Sequence, residues 1–311
     1  MLEARIRRST LIMPVHLPRL VEKAYLRGAD CICLDLEDSV PTSLKENARE
    51  AVKLAITLAG KGGAEVIVRI NNSGESTILS DLRASVWPDL SGIILPKVET
   101  DVQVMEIEND LETVERERAL VPGSIRLWAV VETAKGVKNV FEIAASSKRL
   151  DFLSAGDEDL ALDLGITPTV GGSELGYVKS RVVIAARAAG ITPLGLAGTL
   201  ADFTDLDGLR RSAMNAKSMG FKGAMAIHPS QIQILNEAFS PATEEIEAAS
   251  TIIELYEKAL SEGKASIQFQ GKMVDTPVYQ RAKKTMELAN SIREMEAGRR
   301  PSTPNESRVS G

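Results

Sequence analysis

Short apolar runs alternate with longer amphipathic segments along most of the chain. The runs are rich in Ile, Val and Leu, and they read TLIMPV, CICLDLED, EVIVRIN, GIILPKV, RLWAVVE, DFLSAG, TPLGLAG and GAMAIHP. Continuous apolar runs are typical of strands in a parallel sheet that helices cover on both faces. The intervening segments carry apolar residues at helical spacing and often stop at glycine, as helices do. The pattern therefore predicts eight strand–helix units.

Eight such units over about 240 residues match the usual length of a (β/α)8 TIM barrel, which is the fold class that we predict. A doubly wound open sheet is the alternative, but no G-x-G-x-x-G follows the first strand. Beyond Pro229 the pattern contains helices, interrupted by a short stretch typical of a hairpin or loop. We predict a barrel domain at 1–230, a C-terminal helical lid at 231–297 and a disordered, polar tail at 298–311.

Composition excludes several partners. The net charge of -6 and the aromatic content of 4% remove the cationic surface and the stacking rings that nucleic-acid binding uses. The apolar run near the start is too short for a signal sequence or a membrane span, so we expect a cytoplasmic protein without a membrane partner. Cys31 and Cys33 lie two apart on a predicted strand, a poor geometry for a disulfide, and are expected to be buried thiols.

Polar residues follow the predicted strands. In a barrel the carboxyl ends of the strands meet at one edge, where catalytic groups lie. The residues at these ends are Asp35, Glu37, Asp38, Arg69, Asn71, Lys97, Glu99, Glu132, Asp157, Glu158, Asp159 and His228. Many acids and few histidines favour a hard divalent cation, Mg²⁺ or Mn²⁺, over zinc.

The same strand ends carry a family resemblance. The motifs RRSTLIMP, GADCICLDLEDSVP, VRIN, ILPKVE, VVETAKGV, GDEDLALDLG, AARAAG, IHPSQI, FSPATEE and GKMVDTP occur in that order. Together they resemble the citrate lyase beta subunit-like branch of the HpcH/HpaI aldolase family. The resemblance implies a (β/α)8 barrel with a C-terminal lid that cleaves or forms 3-hydroxyacyl thioesters with Mg²⁺. It also implies a homotrimer or hexamer in which lids are exchanged between subunits.

Residue roles follow from the resemblance. It implies that Glu132 and Asp159 bind the metal and that Arg69 binds substrate. Asp275 of GKMVDTP matches an acid that the lid carries into the active site of a neighbouring subunit. The region of Arg8 and Pro14 matches the part of the family that meets coenzyme A.

Two positions depart from the family pattern. Val15 stands where the family commonly has glycine, so close backbone contact with the nucleotide is in doubt. Gly195 stands where the seventh strand commonly has aspartate, which removes a carboxylate. We therefore expect a substrate preference that differs from that of the better-known members.

The chemistry of the residues agrees with these roles. Cleavage of a 3-hydroxy thioester requires loss of the hydroxyl proton, and a divalent cation that binds hydroxyl and carboxylate lowers the pKa of that hydroxyl. Arg69 can bind a carboxylate with both arms or stabilise an enolate oxygen. Asp275 can protonate the enolate carbon, or remove a methyl proton in the reverse direction.

Each role has a structural alternative. Glu132 could cap a helix, Asp159 could bind backbone amides at a turn, and Arg69 could pair with an acid of the second strand. Further residues remain open in the same way: Asp35, Glu37 and Asp38 either support the metal ligands by hydrogen bonds or cap a helix. Lys97 is the candidate for a Schiff base, but the neighbouring carboxylates favour an ion pair or a substrate contact. His228 is expected to orient the loop after the eighth strand.

The sequence thus predicts a Mg²⁺-dependent carbon–carbon lyase for a short 3-hydroxy-dicarboxyl-CoA such as malyl-CoA, methylmalyl-CoA or citramalyl-CoA. The products are an acyl-CoA and an α-keto acid. A malyl-CoA-type thioesterase and an aldolase for free keto acids are rival enzymes. The other rival is a citrate lyase subunit that acts on an acyl-carrier-protein thioester inside a complex.

Overall fold

The eight predicted strands are confirmed. The computed structural model describes residues 5–169, 171–198 and 203–299. The strands are β1 (Ser9–Pro14), β2 (Cys31–Asp35), β3 (Glu65–Arg69), β4 (Gly92–Leu95), β5 (Arg126–Val131), β6 (Leu150–Ala155), β7 (Thr192–Pro193), β8 (Ala224–Ala226), β9 (Ile267–Phe269) and β10 (Lys272–Val274).

Strands β1 to β8 form one parallel sheet in the order β7-β6-β5-β4-β3-β2-β1-β8. The first and last strands are therefore neighbours, which requires the sheet to curl. Two backbone hydrogen bonds link the remaining edges: Lys222 N donates to Pro193 O at 3.0 Å and Gly195 N donates to Gly223 O at 2.8 Å. This α/β arrangement is consistent with a TIM barrel-like fold and differs from the strand order of a doubly wound sheet.

Helices connect successive strands. Their bounds are α1 (Pro18–Val21), α2 (Lys45–Ala59), α3 (Glu75–Ser85), α4 (Asp101–Glu117), α5 (Ala134–Lys138), α6 (Val140–Ala145), α7 (Asp157–Leu164), α8 (Gly176–Ala188), α9 (Leu206–Met219), α10 (Ile232–Phe239), α11 (Thr243–Ser261) and α12 (Thr276–Gly298). Short 3-10 helices span Ala24–Arg27, Thr42–Leu44, Gly60–Gly62, Ser173–Leu175 and Pro229–Gln231. Within the described residues, no helix is long and apolar enough to cross a membrane.

The interior of the curled sheet is a cluster of buried side chains. Its members are Cys31, Cys33, Ile67, Ile94, Trp128, Val130, Phe152 and Leu194. The Trp128 and Phe152 rings lie 5.8 Å apart, and Trp128 Nε1 donates to Ser154 Oγ at 2.8 Å, so the one polar atom of the indole is satisfied. Both cysteines are free and buried, as predicted, and burial raises the pKa of the Cys31 thiol to about 12.

The chain divides into two compact units. Arg7–Asn236 contains β1 to β8, and Glu237–Arg300 contains α11, α12 and the antiparallel pair of β9 and β10. The stretch that the sequence left open as a hairpin or loop is thus a hairpin. Most of the predicted tail, residues 300–311, lies outside the described residues.

Candidate active site

The two predicted metal ligands come from neighbouring strands. Glu132 directly follows β5, and Asp159 lies in the first turn of α7 after β6, whose end pairs with β5. The backbone of Gly156 packs against the Glu132 side chain, because a Cβ at this position would lie 2.0 Å from Glu132 Oε2. Glycine at 156 therefore leaves room for the Glu132 carboxylate beside the start of α7.

Glu132 is a buried carboxylate with one partner. Its side chain is 5% exposed, and Lys97 N donates to Oε1 at 2.7 Å. Lys97 has a φ of 53°, a left-handed conformation that costs energy for a non-glycine residue and directs this amide at the carboxylate. Among the described residues no group donates to Oε2. Burial, and then the charges of Asp159 and Glu37, raise the pKa of Glu132 to about 7.

Arg69, at the end of β3, binds Asp35 at the end of β2 with both arms. Nε and Nη2 donate to the two carboxylate oxygens at 2.7 and 2.8 Å, and Nη1 lies 3.0 Å from Glu37 Oε2. Burial raises the pKa of Asp35, but the hydrogen bonds and charge of Arg69 lower it below its ordinary value. The Arg69 side chain is 17% exposed, so part of it remains accessible to a ligand.

Lys97 also contributes its ammonium. Nζ donates to Glu37 Oε1 at 2.7 Å and lies 3.6 Å from Asp38 Oδ1 and 4.0 Å from Asp159 Oδ1. Burial would lower the pKa of Lys97, but its hydrogen bond to Glu37 and the nearby acids raise it. A Schiff base requires an uncharged amine, so this environment favours the ion pair over the Schiff base.

The pair of carboxylates fits a divalent cation. Within the described residues no group of three or more His, Cys, Asp or Glu side chains is arranged around a common point. Glu132 and Asp159 nevertheless offer oxygen donors only. The raised pKa of Glu132 reflects its burial and then repulsion from Asp159 and Glu37, and a bound cation would offset both. Two protein carboxylates also leave positions for substrate and water, as Mg²⁺ sites commonly do.

Lys179 is a site residue that the strand pattern missed. It lies on the buried face of α8, 2% exposed, and its ammonium donates to Asp157 Oδ2 at 2.8 Å and Ala197 O at 3.0 Å. These contacts fix the first residue of α7, two positions before Asp159, to the loop after β7. A lysine among Val178, Val182 and other apolar positions of one helix face is the signal that could have identified it.

Other residues at the strand ends have structural partners. Asn71 Nδ2 donates to Leu36 O at 2.9 Å and Asp81 Oδ2 at 2.7 Å, which joins β2, β3 and α3. Glu99 accepts from Lys135 Nζ at 2.9 Å. His228 caps the 3-10 helix at Pro229–Gln231: its Nδ1 accepts from Ser230 N at 3.2 Å, which agrees with the predicted role in orienting this loop.

Arg8 and Pro14 lie at opposite ends of β1. Pro14 is its last residue and pairs with Asp35, close to Arg69. Arg8 precedes the strand at the other edge of the sheet, where its guanidinium is 4% exposed and donates to both oxygens of Asp30 at 2.8 and 3.0 Å. Arg8 thus forms a buried ion pair at the edge opposite the carboxylates, and its contact with coenzyme A stays a prediction.

Asp275 is the N-cap of α12. Its Oδ1 accepts from Val278 N at 3.3 Å, which accounts for an aspartate at this position without any catalytic role. It belongs to the Glu237–Arg300 unit. Its part in catalysis remains a prediction.

The two departures from the family pattern are both buried positions. Val15, 1% exposed, donates its backbone N–H to Asp35 O at 3.3 Å. A Cβ on Gly195 would lie 3.0 Å from Cε1 of the Phe221 ring. The Cβ of any larger residue at position 195 would crowd the Phe221 ring, and glycine leaves room for it.

A cavity of about 270 Å³ opens beside the carboxylates. Its lining includes Arg69, Glu132 and Asp159 together with apolar side chains such as Trp128 and Leu194. The carboxylates, the arginine and the cavity lie together at the carboxyl edge of the sheet. Such a combination of acids of unusual pKa, a cation and a concave surface is typical of an active site.

Comparisons of this chain with family models and with known proteins agree on one family. A family model described as HpcH/HpaI aldolase/citrate lyase matches residues 8–229. The citrate lyase subunit beta of Leuconostoc mesenteroides subsp. cremoris is 35% identical over 287 residues, which is 92% of this chain and 94% of the relative. A (3S)-malyl-CoA thioesterase of Cereibacter sphaeroides is 35% identical over 285 residues, 92% of this chain and 95% of the relative.

A solved structure extends the comparison to ligands. It is the crystal structure of CitE from Mycobacterium tuberculosis in complex with magnesium, acetoacetate and coenzyme A. Its TM-score is 0.74 at 28% identity, and the match covers 92% of this chain and 99% of that one.

Proposed function

The chain belongs to the HpcH/HpaI aldolase/citrate lyase family, and on that premise we propose that it is a Mg²⁺-dependent carbon–carbon lyase. Its substrate is a short 3-hydroxy-dicarboxyl-CoA thioester, such as malyl-CoA, methylmalyl-CoA or citramalyl-CoA, and its products are an acyl-CoA and a 2-oxo acid. The observation that carries the proposal is the state of Glu132. This carboxylate is buried, its pKa is raised, and the charge of Asp159 contributes to that rise. Among the described residues, no group donates a hydrogen bond to its Oε2.

In this proposal Glu132 and Asp159 bind the metal. When held by these two carboxylates, Mg²⁺ would supply the Lewis-acid chemistry that makes the substrate hydroxyl more acidic. Lys97 orients Glu132 through its backbone amide. Lys179 secures the start of α7, and with it Asp159, through Asp157. Mn²⁺ offers a similar preference for oxygen ligands and is the alternative ion.

Arg69 binds the substrate. Two of its hydrogen bonds already go to Asp35, which fixes the plane of the guanidinium at the carboxyl edge of the sheet. Nη1 lies 3.0 Å from Glu37 Oε2, and the exposed 17% of the side chain is the part that meets a substrate carboxylate or the enolate oxygen of the leaving thioester. Lys97 is the second cation that can contact a substrate carboxylate, and Pro14 lies where coenzyme A is expected to approach.

Asp275 completes the site in this proposal. During cleavage the hydroxyl proton passes to solvent as the carbon–carbon bond breaks, and Asp275 relays a proton from solvent to the enolate carbon of the acyl thioester. The helical segment 231–297 acts as the lid, and Asp275 is supplied by a neighbouring subunit of a homotrimer or hexamer. The two buried free cysteines support a reducing, cytoplasmic location.

A thioesterase is the second candidate, because a (3S)-malyl-CoA thioesterase is as similar to this chain as a citrate lyase subunit is. Incubation of the purified chain with malyl-CoA, methylmalyl-CoA and citramalyl-CoA separates the candidates. A lyase releases glyoxylate or pyruvate with a shortened acyl-CoA, whereas a thioesterase releases free CoA and the intact hydroxy acid. A subunit that depends on a carrier protein is inactive alone and active with the acylated carrier. The lyase proposal is wrong if no 2-oxo acid is formed at saturating Mg²⁺.

A further inference from the structure

Lys97 combines a strained backbone with a charged side chain. Its φ of 53° is left-handed, and glycine adopts this conformation at a lower cost than lysine does. The conformation directs the backbone amide at Glu132 Oε1, and a glycine at this position would carry the same amide. The contact with Glu132 therefore does not require a lysine, and what the lysine adds at this strained position is its ammonium group.

The Lys97 ammonium faces carboxylates from two parts of the chain. Nζ donates to Glu37 Oε1 at 2.7 Å and lies 3.6 Å from Asp38 Oδ1, and both acids belong to the loop after β2. Nζ also lies 4.0 Å from Asp159 Oδ1, in the first turn of α7. Among the described residues, Lys97 is the one cation within this distance of Asp159. The ammonium is thus the counter-ion of a residue that we propose as a metal ligand.

A divalent cation and this ammonium compete for the same carboxylate. Mg²⁺ binds oxygen at about 2.1 Å, so an ion on Asp159 Oδ1 would lie at most about 6 Å from Lys97 Nζ in its present position. Even with the screening of bulk water, a single and a double positive charge about 6 Å apart repel each other by roughly a tenfold change in a binding constant. The Lys97 side chain is 38% exposed, so it is not locked in place by burial.

We propose that Lys97 is a positioning residue that couples the binding of Mg²⁺ to the binding of the 2-oxo acid. Without substrate, its ammonium pairs with Asp159 and lowers the affinity of the site for Mg²⁺. When both ligands are present, the ammonium leaves Asp159 and pairs with the carboxylate of the 2-oxo acid. This inference rests on the metal site proposed above, and it adds how that site is loaded.

Calorimetric titration measures this coupling without any turnover. Mg²⁺ is titrated into the enzyme alone and into the enzyme saturated with pyruvate, and the ratio of the two dissociation constants is the coupling factor. Titration of pyruvate with and without Mg²⁺ must give the same factor, because coupling between two ligands is reciprocal. Direct contact between metal and pyruvate contributes to this factor in every variant, so the share of Lys97 is read from a comparison of variants.

Lys97→Gly removes the ammonium and keeps the amide that donates to Glu132. We expect it to bind Mg²⁺ alone about tenfold more tightly than the wild type and to have a coupling factor about tenfold smaller. Lys97→Met makes the same change of charge and serves if the glycine variant fails to fold. Lys97→Arg keeps the charge and is expected to retain the weak Mg²⁺ affinity and the coupling of the wild type. Unchanged or weaker Mg²⁺ affinity without the ammonium would overturn the inference, and so would an unchanged coupling factor.

Two matched controls separate the effect of charge from that of the backbone. Lys135 lies in α5, after β5, and its Nζ donates to Glu99 Oε2 at 2.9 Å, so Lys135→Met removes an equal charge from an ion pair that does not include Asp159. Ala119 has a φ of 56°, so Ala119→Gly relieves a similar backbone strain at the end of α4. Both variants are expected to change the Mg²⁺ affinity and the coupling factor less than about twofold.

Failure of the proposed function gives a different result. Glu132→Gln in the Lys97→Gly background is expected to remove the tight Mg²⁺ binding, which assigns the ion to this site. Tight binding that persists in this double variant would overturn the inference, because the ion would then bind elsewhere. If no thioester yields a 2-oxo acid, the lyase function is refuted, and the titrations still decide the role of Lys97. Absence of Mg²⁺ binding to the wild type in the presence of pyruvate would overturn both proposals.

Discussion

Replacement of Arg69 by lysine tests whether this residue serves substrate or only the fold. The change keeps the positive charge but removes the planar fork that binds Asp35 at 2.7 and 2.8 Å. Lysine can remake one of these two bonds. A hydrogen bond to a charged group is worth about 1.5–3 kcal/mol, so Arg69→Lys is expected to destabilise the protein by about that amount.

If Arg69 also binds substrate, loss of one charged hydrogen bond raises the free energy of the transition state by a similar amount. A difference of about 1.4 kcal/mol is tenfold in rate, so kcat/KM is expected to fall about 10–100-fold. Thermal unfolding gives the stability effect, since 1 kcal/mol corresponds to about 2–4 °C in a unit of this size. Steady-state assays at saturating Mg²⁺, well below the unfolding temperature, give the catalytic effect separately.

Arg126 supplies a matched control. It is similarly buried, with 13% of its side chain exposed, and it donates to Asp151 at 2.8 and 2.5 Å at the start of β5, on the edge away from the carboxylates. Arg126→Lys is expected to lose comparable stability and retain kcat/KM. If Arg69→Lys retains kcat/KM as Arg126→Lys does, a substrate role for Arg69 is refuted, and Arg69 is only an ion-pair partner of Asp35.

Three further predictions follow from the site and its surroundings. Mg²⁺ at 100 times its dissociation constant should raise the free energy of unfolding by about 2.7 kcal/mol, and chelation or Glu132→Gln should remove this effect. The effect should weaken as pH falls below 7, because a proton then competes with the metal for Glu132. Glu115→Gln, which breaks a buried pair with Arg149, should cost about 3–5 kcal/mol at pH 7 by denaturant titration. Coexpression of Asp275→Asn and Glu132→Gln chains, each inactive alone, should restore activity in mixed oligomers, and no recovery would refute lid exchange.

The Glu115 prediction has a definite pH dependence. Burial raises the pKa of Glu115, but the hydrogen bonds from Arg149, Ile125 and Gly123 lower it below the ordinary value. The carboxylate therefore contributes stability above the unfolded pKa of about 4.3, and this is lost as pH falls through the lower folded pKa. The difference in free energy of unfolding between the wild type and Glu115→Gln should therefore narrow below about pH 4. Glu112→Gln, from an exposed helical pair, is the control and should cost less than about 0.5 kcal/mol.

The strands could be predicted from the sequence because each is a continuous apolar run. Strand β7 shows the limit of that signal: TPLGLAG is apolar over its length, yet only Thr192–Pro193 forms ladder pairs. The proline lacks an N–H, and backbone bonds between 193–195 and 222–223 take over beyond it. An apolar run indicates that a segment is buried. Whether its backbone pairs in the sheet depends on segments that lie far away along the chain.

The candidate site was predictable where it depends on strand ends and not where it depends on helices. Arg69 ends a strand, and Glu132 and Asp159 follow strands, so the curl of the sheet brings all three to one edge. Lys179 lies in the first turn of α8, and nothing local shows that its ammonium reaches Asp157 and a loop carbonyl. Such a contact joins segments that are distant in sequence, and only the packing of α8 on the sheet creates it.

The acids of the carboxyl edge differ in how their charge is balanced. Asp35 has the Arg69 fork, Glu37 has the Lys97 ammonium at 2.7 Å, and Asp157 has Lys179 at 2.8 Å. Glu132 receives a backbone amide instead, and its pKa of about 7 means that the protein alone balances much of its charge with a proton. A divalent cation shared with Asp159 would displace that proton. The ammonium groups of Lys97 and Lys179 donate to Glu37 and Asp157, so Glu132, which receives neither, is the carboxylate best placed to bind a metal.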